Sequence, residues 1–214
     1  QRLRRKIYSI VEELIPRSGS ILDINCGTGT DACYFASRGY KVTGIDISPN
    51  MIEQAKAKAS GMKNVRFRTA SFQSSSPTVE GKYDLILSNF GGLNCIESLE
   101  PVASQIASVT RQGGSFVAVF MPPHCLWEIV AGLARLNLHS AFRRFKKSAI
   151  ASGFPGHAFQ VFYHSPFSFS RQLERWFRVE HTQSLSIFSP PPHAVHFQRS
   201  NPSLSAFLQR VDDF

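Results

Sequence analysis

The sequence has little of what marks metal-binding, secreted or membrane-spanning proteins. Its 214 residues include four cysteines, at positions 26, 33, 95 and 125, and no two of them form a Cys-x-x-Cys pair. This spacing does not predict a zinc site, and it is typical of reduced thiols in a cytoplasmic protein. No apolar run reaches transmembrane length, and no signal-peptide pattern is present. We therefore expect a cytoplasmic protein without a metal, of a size that suits one domain.

Acidic residues are scarce relative to basic ones. The chain has 15 Asp and Glu against 24 Lys and Arg, which gives a net charge of +9. Basic residues cluster at positions 2–6 and 143–147, with others at 171, 175 and 178. Such charge can attract a nucleic acid, an anionic membrane surface or an acidic small molecule, although a solvated helical face also explains each cluster.

The chain is rich, in contrast, in signals of a nucleotide-binding βαβ unit at positions 21–46. An apolar strand opens into the loop Asn-Cys-Gly-Thr-Gly, a helix follows at 31–38, and a second strand ends on Asp46. Gly27 and Gly29 let the backbone turn sharply and approach a ligand, and the helix N-terminus points its N–H groups at the same place. A plain strand-to-helix turn is the alternative interpretation.

The acid Asp23, near the end of the first strand, indicates which of two kinds of nucleotide ligand this loop could bind. The spacing Gly27-x-Gly29-x-x-Ala32 also fits a dinucleotide fingerprint, but an unpaired carboxylate would repel a pyrophosphate. S-adenosylmethionine has no phosphate and carries a sulfonium and an ammonium, which suit Asp23. Asp46 is placed to accept hydrogen bonds from ribose hydroxyls, and it also suits a helix N-terminus ahead of Ser48 and Pro49.

Two stretches, Asp-Ile-Asn-Cys-Gly-Thr-Gly from Asp23 and Val-Thr-Gly-Ile-Asp-Ile-Ser-Pro-Asn-Met ending at Met51, resemble the class I S-adenosylmethionine-dependent methyltransferases. The first motif of that family is an acid followed by three alternate glycines, and here Asn25 replaces the first of them. Asn tolerates positive φ better than other non-glycine residues, so the turn can survive. The resemblance covers roughly residues 3–120. It implies S-adenosylmethionine contacts at Asp23, Asn25, Gly27, Gly29, Asp46, Ile47 and Met51.

The resemblance implies further cofactor contacts after the third and fourth strands, predicted at 64–68 and 81–89. Ser71 stands where the family commonly has an acid that contacts adenine, and Phe72 offers a backbone N–H and an apolar face. Asn89 and Phe90 begin a loop, Asn-Phe-Gly-Gly, that would border the transferred methyl group, with a flexible turn as the alternative. The loop lacks the Asn-Pro-Pro-aromatic signature of amino-directed nucleic-acid methyltransferases, which counts against methylation of a base.

The alternation of strands and helices predicts an α/β fold. We expect a doubly wound, mostly parallel, Rossmann-like sheet with helices on both faces. A single methyltransferase domain would span residues 1–214, with its cofactor-binding core at 1–121. Further predicted elements are helices at 3–15, 99–110, 125–138 and 168–177, strands at 115–121, 157–165 and 178–188, and a short helix near the end. The resemblance implies that the first helix is a lid near the cofactor.

Residues 122–165 are expected to be a cap insertion after the fifth strand, and 166–214 to complete the fold. In methyltransferases of this type such an insertion often covers the acceptor. The segment contains seven aromatic residues, among them Trp127, Phe142 and Phe145. These side chains suit an apolar or aromatic small-molecule acceptor, or they form the core of the cap itself.

Methyl transfer is an in-line displacement for which the protein mainly aligns the reactants and excludes water. A general base is needed only when the acceptor carries a proton of high pKa. The candidates are His124, His157, His164, His193 and His196. We select His124, which follows the fifth strand, and His164 as catalytic residues; a structural role is the alternative for each.

Four functions compete. The sequence favours a methyltransferase acting on a small molecule. The basic clusters suggest a second enzymatic function, RNA methylation, with a nucleic acid as the partner. A non-catalytic S-adenosylmethionine-binding module is a third class, because Asn25 and Ser71 depart from the family pattern. A nicotinamide oxidoreductase is the least favoured, since Asp23 opposes a pyrophosphate.

Overall fold

A five-stranded parallel sheet forms the centre of the computed structural model, which describes residues 2–72, 79–146, 148–154, 157–190 and 194–212. The strand order is β3-β2-β1-β4-β5, so the chain moves outward from β1 to β3 and then crosses back to the other side of β1. The strands are β1 (Ser20–Ile24), β2 (Lys41–Asp46), β3 (Val65–Thr69), β4 (Tyr83–Ser88) and β5 (Thr110–Ala118).

Helices cover both faces of this sheet, which confirms the predicted doubly wound α/β fold. Leu85 and Leu87 of β4 pack with the first three helices in one core cluster, whereas Ile86 packs with the fourth and seventh in the other. Neighbouring residues of a strand point to opposite faces, so one strand serves both cores. The helices are α1 (Arg2–Leu14), α2 (Thr30–Ser37), α3 (Pro49–Lys58), α4 (Glu100–Val109), α5 (Leu126–Ala134), α6 (Leu138–Ala141), α7 (Pro166–Leu173), α8 (Val195–Ser200) and α9 (Pro202–Val211).

The start of α3 follows the predicted capping chemistry. The Ser48 hydroxyl accepts a hydrogen bond from the Met51 N–H at 3.4 Å, and Pro49 occupies the first turn. A hydroxyl at this position satisfies one of the N–H groups that a helix start leaves without an intrahelical partner. The residues after Asp46 therefore begin a helix at the carboxyl edge of the sheet.

The helix predicted at 125–138 is shorter in the structure, since α5 ends at Ala134 and α6 begins at Leu138. Leu136 adopts a φ of 54°, which ends α5 and lets α6 turn back against it. Gly132 of α5 lies so close to Ala141 of α6 that a Cβ on the glycine would fall 2.6 Å from the Ala141 nitrogen. The apolar spacing is continuous along both helices, so periodicity did not indicate the break.

The strand predicted at 178–188 is wrong, since no strand occurs between α7 and α8 in the described part of the chain. Residues 178–184 are exposed and have no neighbouring strand in the sheets. The backbone N–H groups of Ile187 and Ser189 donate instead to the Asp212 carboxylate, both at 2.9 Å. Alternation alone does not make a strand, because the backbone groups of a strand need a paired partner.

The segment 122–165 holds α5, α6 and an antiparallel hairpin of β6 (Ser148–Phe154) and β7 (His157–Phe162). The buried side chain of Asn94 ties this segment to the sheet. Its Nδ2 donates to the carbonyls of Met121 and Phe162, at 3.0 and 2.6 Å, and its Oδ1 accepts the Met121 N–H at 2.7 Å. The hairpin is thereby fixed near the carboxyl end of β5, and its role as a substrate cap stays a prediction.

Candidate active site

The candidate site lies where the direction of the chain through the sheet reverses. β1 and β4 are neighbours, with Ile24 level with Ser88, so the loops that follow them begin side by side at the carboxyl edge. In open parallel sheets, ligands bind in the crevice outside this switch point. The structure thus brings together the residues that follow Asp23 and those that follow Asn89, as the sequence predicts.

The glycine loop places its backbone in left-handed conformations. Asn25 has a φ of 59° and Gly27 a φ of 53°, so the substitution of the family's first glycine by Asn25 keeps the turn. A Cβ on Gly27 would meet no atom within 4 Å, which shows that its backbone faces open space. The loop can therefore present main-chain groups to a ligand at Gly27.

Gly29 has a different role from Gly27. A Cβ at Gly29 would fall 2.7 Å from the Phe67 ring of β3 and 2.9 Å from the Ala55 Cβ of α3. Gly44 of β2 also lies against Phe67, with a hypothetical Cβ only 2.6 Å from the ring. The third glycine of the motif therefore allows close packing of α2 against the sheet, and its predicted contact with the cofactor stays a prediction.

Asp46 joins the glycine loop to α3. One carboxylate oxygen accepts the N–H of Gly27 and the other accepts the N–H of Ser48, both at 2.9 Å. A carboxylate oxygen has two lone pairs, so each keeps the capacity to accept one further hydrogen bond. This geometry leaves room for the predicted contacts to ribose hydroxyls.

Asp23 is a buried carboxyl group, 2% exposed, whose Oδ2 has no hydrogen-bond partner among the described residues. Burial, and then the neighbouring carboxylate of Asp31, raise its pKa well above the ordinary value, and the charge of Asp46 adds to this. The N–H of Ala32 and the more distant Arg4 act in the opposite direction. No ion pair joins it to a cationic side chain in the described part of the chain.

Ser88 carries a second buried polar atom without a partner in the described chain, its Oγ, and the residue is fully buried. It is level with Ile24 across the switch point, next to the register position of Asp23. Buried polar groups without partners are rare in proteins and call for a ligand or a functional reason. Asp23 and Ser88 therefore fit a ligand with a positive charge and hydrogen-bonding groups at this edge.

Asp31, in the first turn of α2, is the centre of a network that the sequence analysis missed. Its Oδ1 accepts bonds from Arg4 Nε at 2.8 Å and from the Tyr8 hydroxyl at 2.5 Å, and its Oδ2 accepts from Asn89 Nδ2 at 3.0 Å. Burial, together with the bond to Asp31, raises the pKa of Tyr8. An acid in the first turn of a helix was the only sequence signal for this residue.

The network brings α1 over the switch point. The Arg4 guanidinium lies 4.6 Å from the centre of the Phe90 ring, and Phe90 has a φ of 50° and is 41% exposed. The Phe90 N–H donates to the Asn89 side-chain oxygen at 2.9 Å. Arg4 thus contacts both ends of the predicted methyl-bordering pair, directly at Phe90 and through Asp31 at Asn89.

The other predicted cofactor residues have mixed environments. Ile47 follows β2 and is 65% exposed, so its apolar side chain is available to a flat ring, and Met51 is partly buried in α3. Ser71 is partly buried just after β3. Phe72 belongs to the core cluster with Leu22 and is 8% exposed, so its ring serves packing and its backbone N–H is the group left for adenine.

The two histidines selected as catalytic differ in environment. His124 is exposed and packs edge-on against Phe145, with the two ring centres 4.9 Å apart. His164 is buried, and its Nε2 lies 2.9 Å from the Ile96 carbonyl oxygen, a geometry in which Nε2 carries the proton and Nδ1 is the basic nitrogen. His196 is exposed on α8, and His193 lies outside the described residues. Catalytic roles for His124 and His164 stay predictions.

Several arginines of the two basic clusters form ion pairs or hydrogen bonds within the protein. Arg143 and Arg144 both donate to the Glu128 carboxylate of α5, with Nε bonds of 3.0 and 2.9 Å. These two arginines lower the pKa of Glu128 to about 2, against the opposing effect of its burial. At the other cluster, Arg4 pairs with Asp31, and Arg2 donates to the Gln209 carbonyl at 3.0 Å.

The described ranges contain neither a cluster of metal-ligating side chains nor a membrane-spanning helix. Within them, no group of three or more His, Cys, Asp or Glu side chains is arranged to hold a metal ion. None of the helices described has both the length and the apolar character needed to span a membrane.

Comparison with known proteins indicates the family of the domain that holds the candidate site. Residues 21–114 match a model of the methyltransferase domain family, and this segment runs from β1 into β5, including the glycine loop, Asp46 and Asn89. This segment carries a methyltransferase domain. S-adenosylmethionine is the cofactor of this family, which agrees with the unpaired carboxylate of Asp23 and the open backbone at Gly27.

Two curated relatives of this methyltransferase domain are named for different acceptors. Demethylmenaquinone methyltransferase of Tropheryma whipplei (strain Twist) is 30% identical over 128 residues, which are 59% of this chain and 51% of that protein. The tRNA 5-carboxymethoxyuridine methyltransferase of Escherichia coli (strain K12) is 29% identical over 158 residues, which are 72% of this chain and 60% of that protein. The chain spans little more than half the length of the curated relatives that it matches.

A solved structure extends the comparison beyond the methyltransferase domain model. An S-adenosylmethionine-dependent methyltransferase from Mesorhizobium loti matches with a TM-score of 0.62 at 17% sequence identity, covering 95% of this chain and 92% of that one. At this identity the match shows the fold. The shared fold reaches well past residue 121, into the segment that carries α5 to α9.

Proposed function

We propose that the protein transfers a methyl group from S-adenosylmethionine to a small apolar or aromatic molecule. The observation that supports the cofactor best is Asp23, a buried carboxyl group with an unpaired oxygen at the switch point. A buried charge is costly until a partner of opposite sign reaches it, and the cofactor carries two cationic groups. When bound, S-adenosylmethionine supplies a methyl group on positively charged sulfur.

In this proposal the residues of the crevice bind and orient the reactants. Because Asp46 holds the Gly27 N–H, other backbone N–H groups of the glycine loop serve the methionyl carboxylate. Asp46 accepts the ribose hydroxyls, and Ile47 covers one side of the adenine. Ser71 and the N–H of Phe72 serve the adenine edge. Such positioning supplies most of the catalysis when the methyl group is already activated.

An apolar or aromatic acceptor is supported by the character of the acceptor side. Phe90 borders the proposed position of the methyl group, and its half-exposed ring is held by Arg4. The segment 122–165 supplies further aromatic side chains, including Phe142 and Phe145, which are 43% and 54% exposed. A relative named for a quinone substrate, demethylmenaquinone, is consistent with this class.

Cofactor binding is tested by isothermal titration with S-adenosylmethionine and with S-adenosylhomocysteine. We expect the intact protein to bind both, and Asp46→Ala to weaken binding at least tenfold, because a pair of ribose hydroxyls loses its acceptors. Glu53→Gln, on the exposed side of α3, is the matched control and should bind normally. No binding by the intact protein would sink the proposal.

Turnover is tested with a labelled methyl donor and a panel of phenols, hydroquinones and aromatic amines. Methylation of any of these classes supports the proposal. Tight cofactor binding without turnover on the whole panel, or on RNA, would instead favour a non-catalytic binding module.

The two candidate bases make different predictions for an acceptor whose hydroxyl must lose a proton. If His124 or His164 is the base, its replacement by Asn removes the acidic limb of the pH profile of kcat and leaves the cofactor Kd unchanged. His164→Asn also loses the buried bond to the Ile96 carbonyl, so its thermal stability is measured in parallel. A profile unchanged in both variants would exclude both bases.

RNA methylation is the second candidate, supported by the net charge of +9 and by the tRNA-modifying relative. The internal pairing of Arg143 and Arg144 with Glu128 argues against it, because paired cations release fewer counterions on binding a phosphate backbone. Methyl incorporation into unmodified tRNA, with an affinity that falls steeply with salt, would establish this candidate in place of the first.

A further inference from the structure

The outer side of α5 exposes an apolar stripe. Leu126, Val130 and Leu133 stand at positions i, i+4 and i+7, on one face of the helix, and they are 42%, 55% and 44% exposed. An amphipathic helix in a folded domain normally turns such a face toward the core. Here only Gly132 of the helix is buried, where α6 packs on it.

Further exposed apolar side chains follow the break between the two helices. Leu136 is 92% exposed at its left-handed turn, and Leu138 at the start of α6 is 61% exposed. Phe142 and Phe145 are 43% and 54% exposed, and their ring centres are 5.4 Å apart. Single exposed apolar residues are ordinary, but an extended group of this kind marks an interaction surface.

Basic residues flank these apolar side chains. Positions 126–147 contain one acid, Glu128, and five Lys or Arg, at 135, 143, 144, 146 and 147. Glu128 is bonded to both Arg143 and Arg144, so it faces its own helix pair and not the surroundings. Arg135, His139 and Lys146 are exposed. The surface combines exposed leucines with an excess of positive charge, the composition of helices that lie on anionic membranes.

The position of this surface relates it to the active site. α5 follows β5 after a short segment, and Asn94 fastens that segment through Met121 to the loop that follows β4. The start of α5 therefore lies near the carboxyl edge of the sheet, where the candidate site opens. A partner bound on these helices would be held beside the acceptor side of the site.

We propose that the α5–α6 surface, residues 126–146, docks on an anionic lipid bilayer. Leu133, Leu136 and Leu138 enter the boundary of the acyl chains, while Arg135 and Lys146 contact the lipid headgroups. The helices are too short to cross a bilayer, so they lie in its surface plane. A second copy of this chain fits the surface less well, because its own basic rim would meet this one.

Docking goes beyond the proposed function and does not depend on it. One consequence rests on that function: a protein held in this way would take an acceptor dissolved in the bilayer. Binding to vesicles and methyl transfer are measured separately, so failure of one is distinguishable from failure of the other.

The experiment is co-sedimentation of the intact protein with vesicles of phosphatidylcholine alone and of phosphatidylcholine with one quarter phosphatidylglycerol, at 150 mM salt. We expect binding to the anionic vesicles and at least tenfold weaker binding to the neutral ones. The double variant Leu136→Ser/Leu138→Ser should lose at least tenfold in affinity. Arg135→Gln/Lys146→Gln should lose a similar factor, at roughly 1 kcal/mol for each cation near the surface.

Matched controls lie elsewhere on the exposed surface. Leu204→Ser in α9, where the side chain is 47% exposed, and Lys56→Gln on α3 should bind vesicles as the unmodified protein does. All substituted side chains are exposed, and thermal unfolding verifies that each variant folds. The proposal is overturned if the intact protein does not bind anionic vesicles, or if the leucine variant binds as well as the controls. It is also overturned if sedimentation velocity shows a dimer that the leucine variant abolishes while vesicles bind none of the proteins.

Discussion

At the scale of single residues, Asn25 and Gly92 are matched across the mouth of the site. Asn25 replaces a glycine of the family motif and keeps its left-handed backbone at φ 59°. Its side chain needs space, and Gly92 in the loop after β4 provides it. A Cβ on Gly92 would lie 2.4 Å from the Asn25 Cβ, far inside contact distance. The departure from the motif is therefore accommodated by a glycine distant in sequence.

The substitution Gly92→Ala should destabilise the protein by about 1–3 kcal/mol, because the added methyl group overpacks against Asn25. Asn25→Gly removes the obstruction, so the double variant should recover most of the lost free energy of unfolding. Urea unfolding of the four proteins measures this coupling. Strictly additive effects would show that the two side chains do not oppose each other.

Asp23 makes a prediction about pH. Its pKa is higher in the folded protein than the ordinary value of 3.8, because it is buried beside Asp31, so the folded state binds more protons in the interval between the two values. Stability therefore falls as pH rises through that interval. Asp46 adds to the shift, and the Ala32 N–H and Arg4 oppose it.

The variant Asp23→Asn should lose less stability than the unmodified protein as pH rises from about 4, near the ordinary pKa of the group, to 8, because it has no charge to bury. Urea unfolding at both pH values measures the difference, and Glu53→Gln serves as the surface control. Equal pH dependence in all three proteins would contradict the raised pKa.

At the scale of elements, α1 depends on a few polar contacts for its position over the site. Its apolar face packs in the core through Ile7 and Val11, while Arg4 and Tyr8 reach Asp31 at the start of α2. These contacts orient the first turns of α1 more than its second half. Periodicity predicts the helix, but it does not predict which residue at the switch point receives Arg4.

Replacement of Arg4 by Met should loosen the first turns of α1. The variant loses the ion pair with Asp31 and the stacking on Phe90, and because Arg4 is 39% exposed the cost is no more than about 1–2 kcal/mol. We expect amide hydrogen exchange in these turns to accelerate roughly tenfold, the equivalent of about 1.4 kcal/mol. Arg5→Met, at an exposed position of the same helix, is the control. Equal exchange rates in the Arg4 and Arg5 variants would show that Arg4 does not stabilise the first turns of α1.

At the scale of the whole molecule, the buried amide of Asn94 is one of the contacts that hold the segment after β5 to the parallel sheet. Asn94 reaches the end of β5 at Met121 and the end of β7 at Phe162. A second contact joins this segment to the C-terminal helices: Trp127 of α5 contacts Phe197 of α8 edge-on, with ring centres 4.6 Å apart. The segment after β5 thus contacts parts of the chain that are far apart in sequence.

The substitution Asn94→Ala should cost about 2–4 kcal/mol, since three hydrogen bonds are lost and the backbone groups of Met121 and Phe162 are left without partners. The loss of stability should also be local, so the variant should accelerate amide hydrogen exchange more in β7 than in β1, relative to the unmodified protein. Unfolding in urea and exchange mass spectrometry test both parts. A uniform change over all strands would mean that Asn94 does not specifically hold the hairpin.

Most of the cofactor half was predictable because its signals are local. The glycine loop, Asp23, Asp46 and the cap at Ser48 lie within one βαβ unit, where strand periodicity and turn chemistry dictate the geometry. The second half was harder to predict. Residues 178–188 alternate like a strand but have no neighbour to pair with, and the helix at 125–138 breaks at Leu136.

The sequence by itself determined the order of the strands and helices up to β5, the left-handed loop and the carboxylates at the strand ends, because each depends on residues close together in the chain. Tertiary structure alone decided which groups meet: Arg4 with Asp31, Asn25 with Gly92, and Asn94 with Phe162. It also decided that the leucines of α5 and α6 face outward. Contacts between distant residues depend on how elements pack in three dimensions, and a one-dimensional pattern of apolar and polar residues does not specify this.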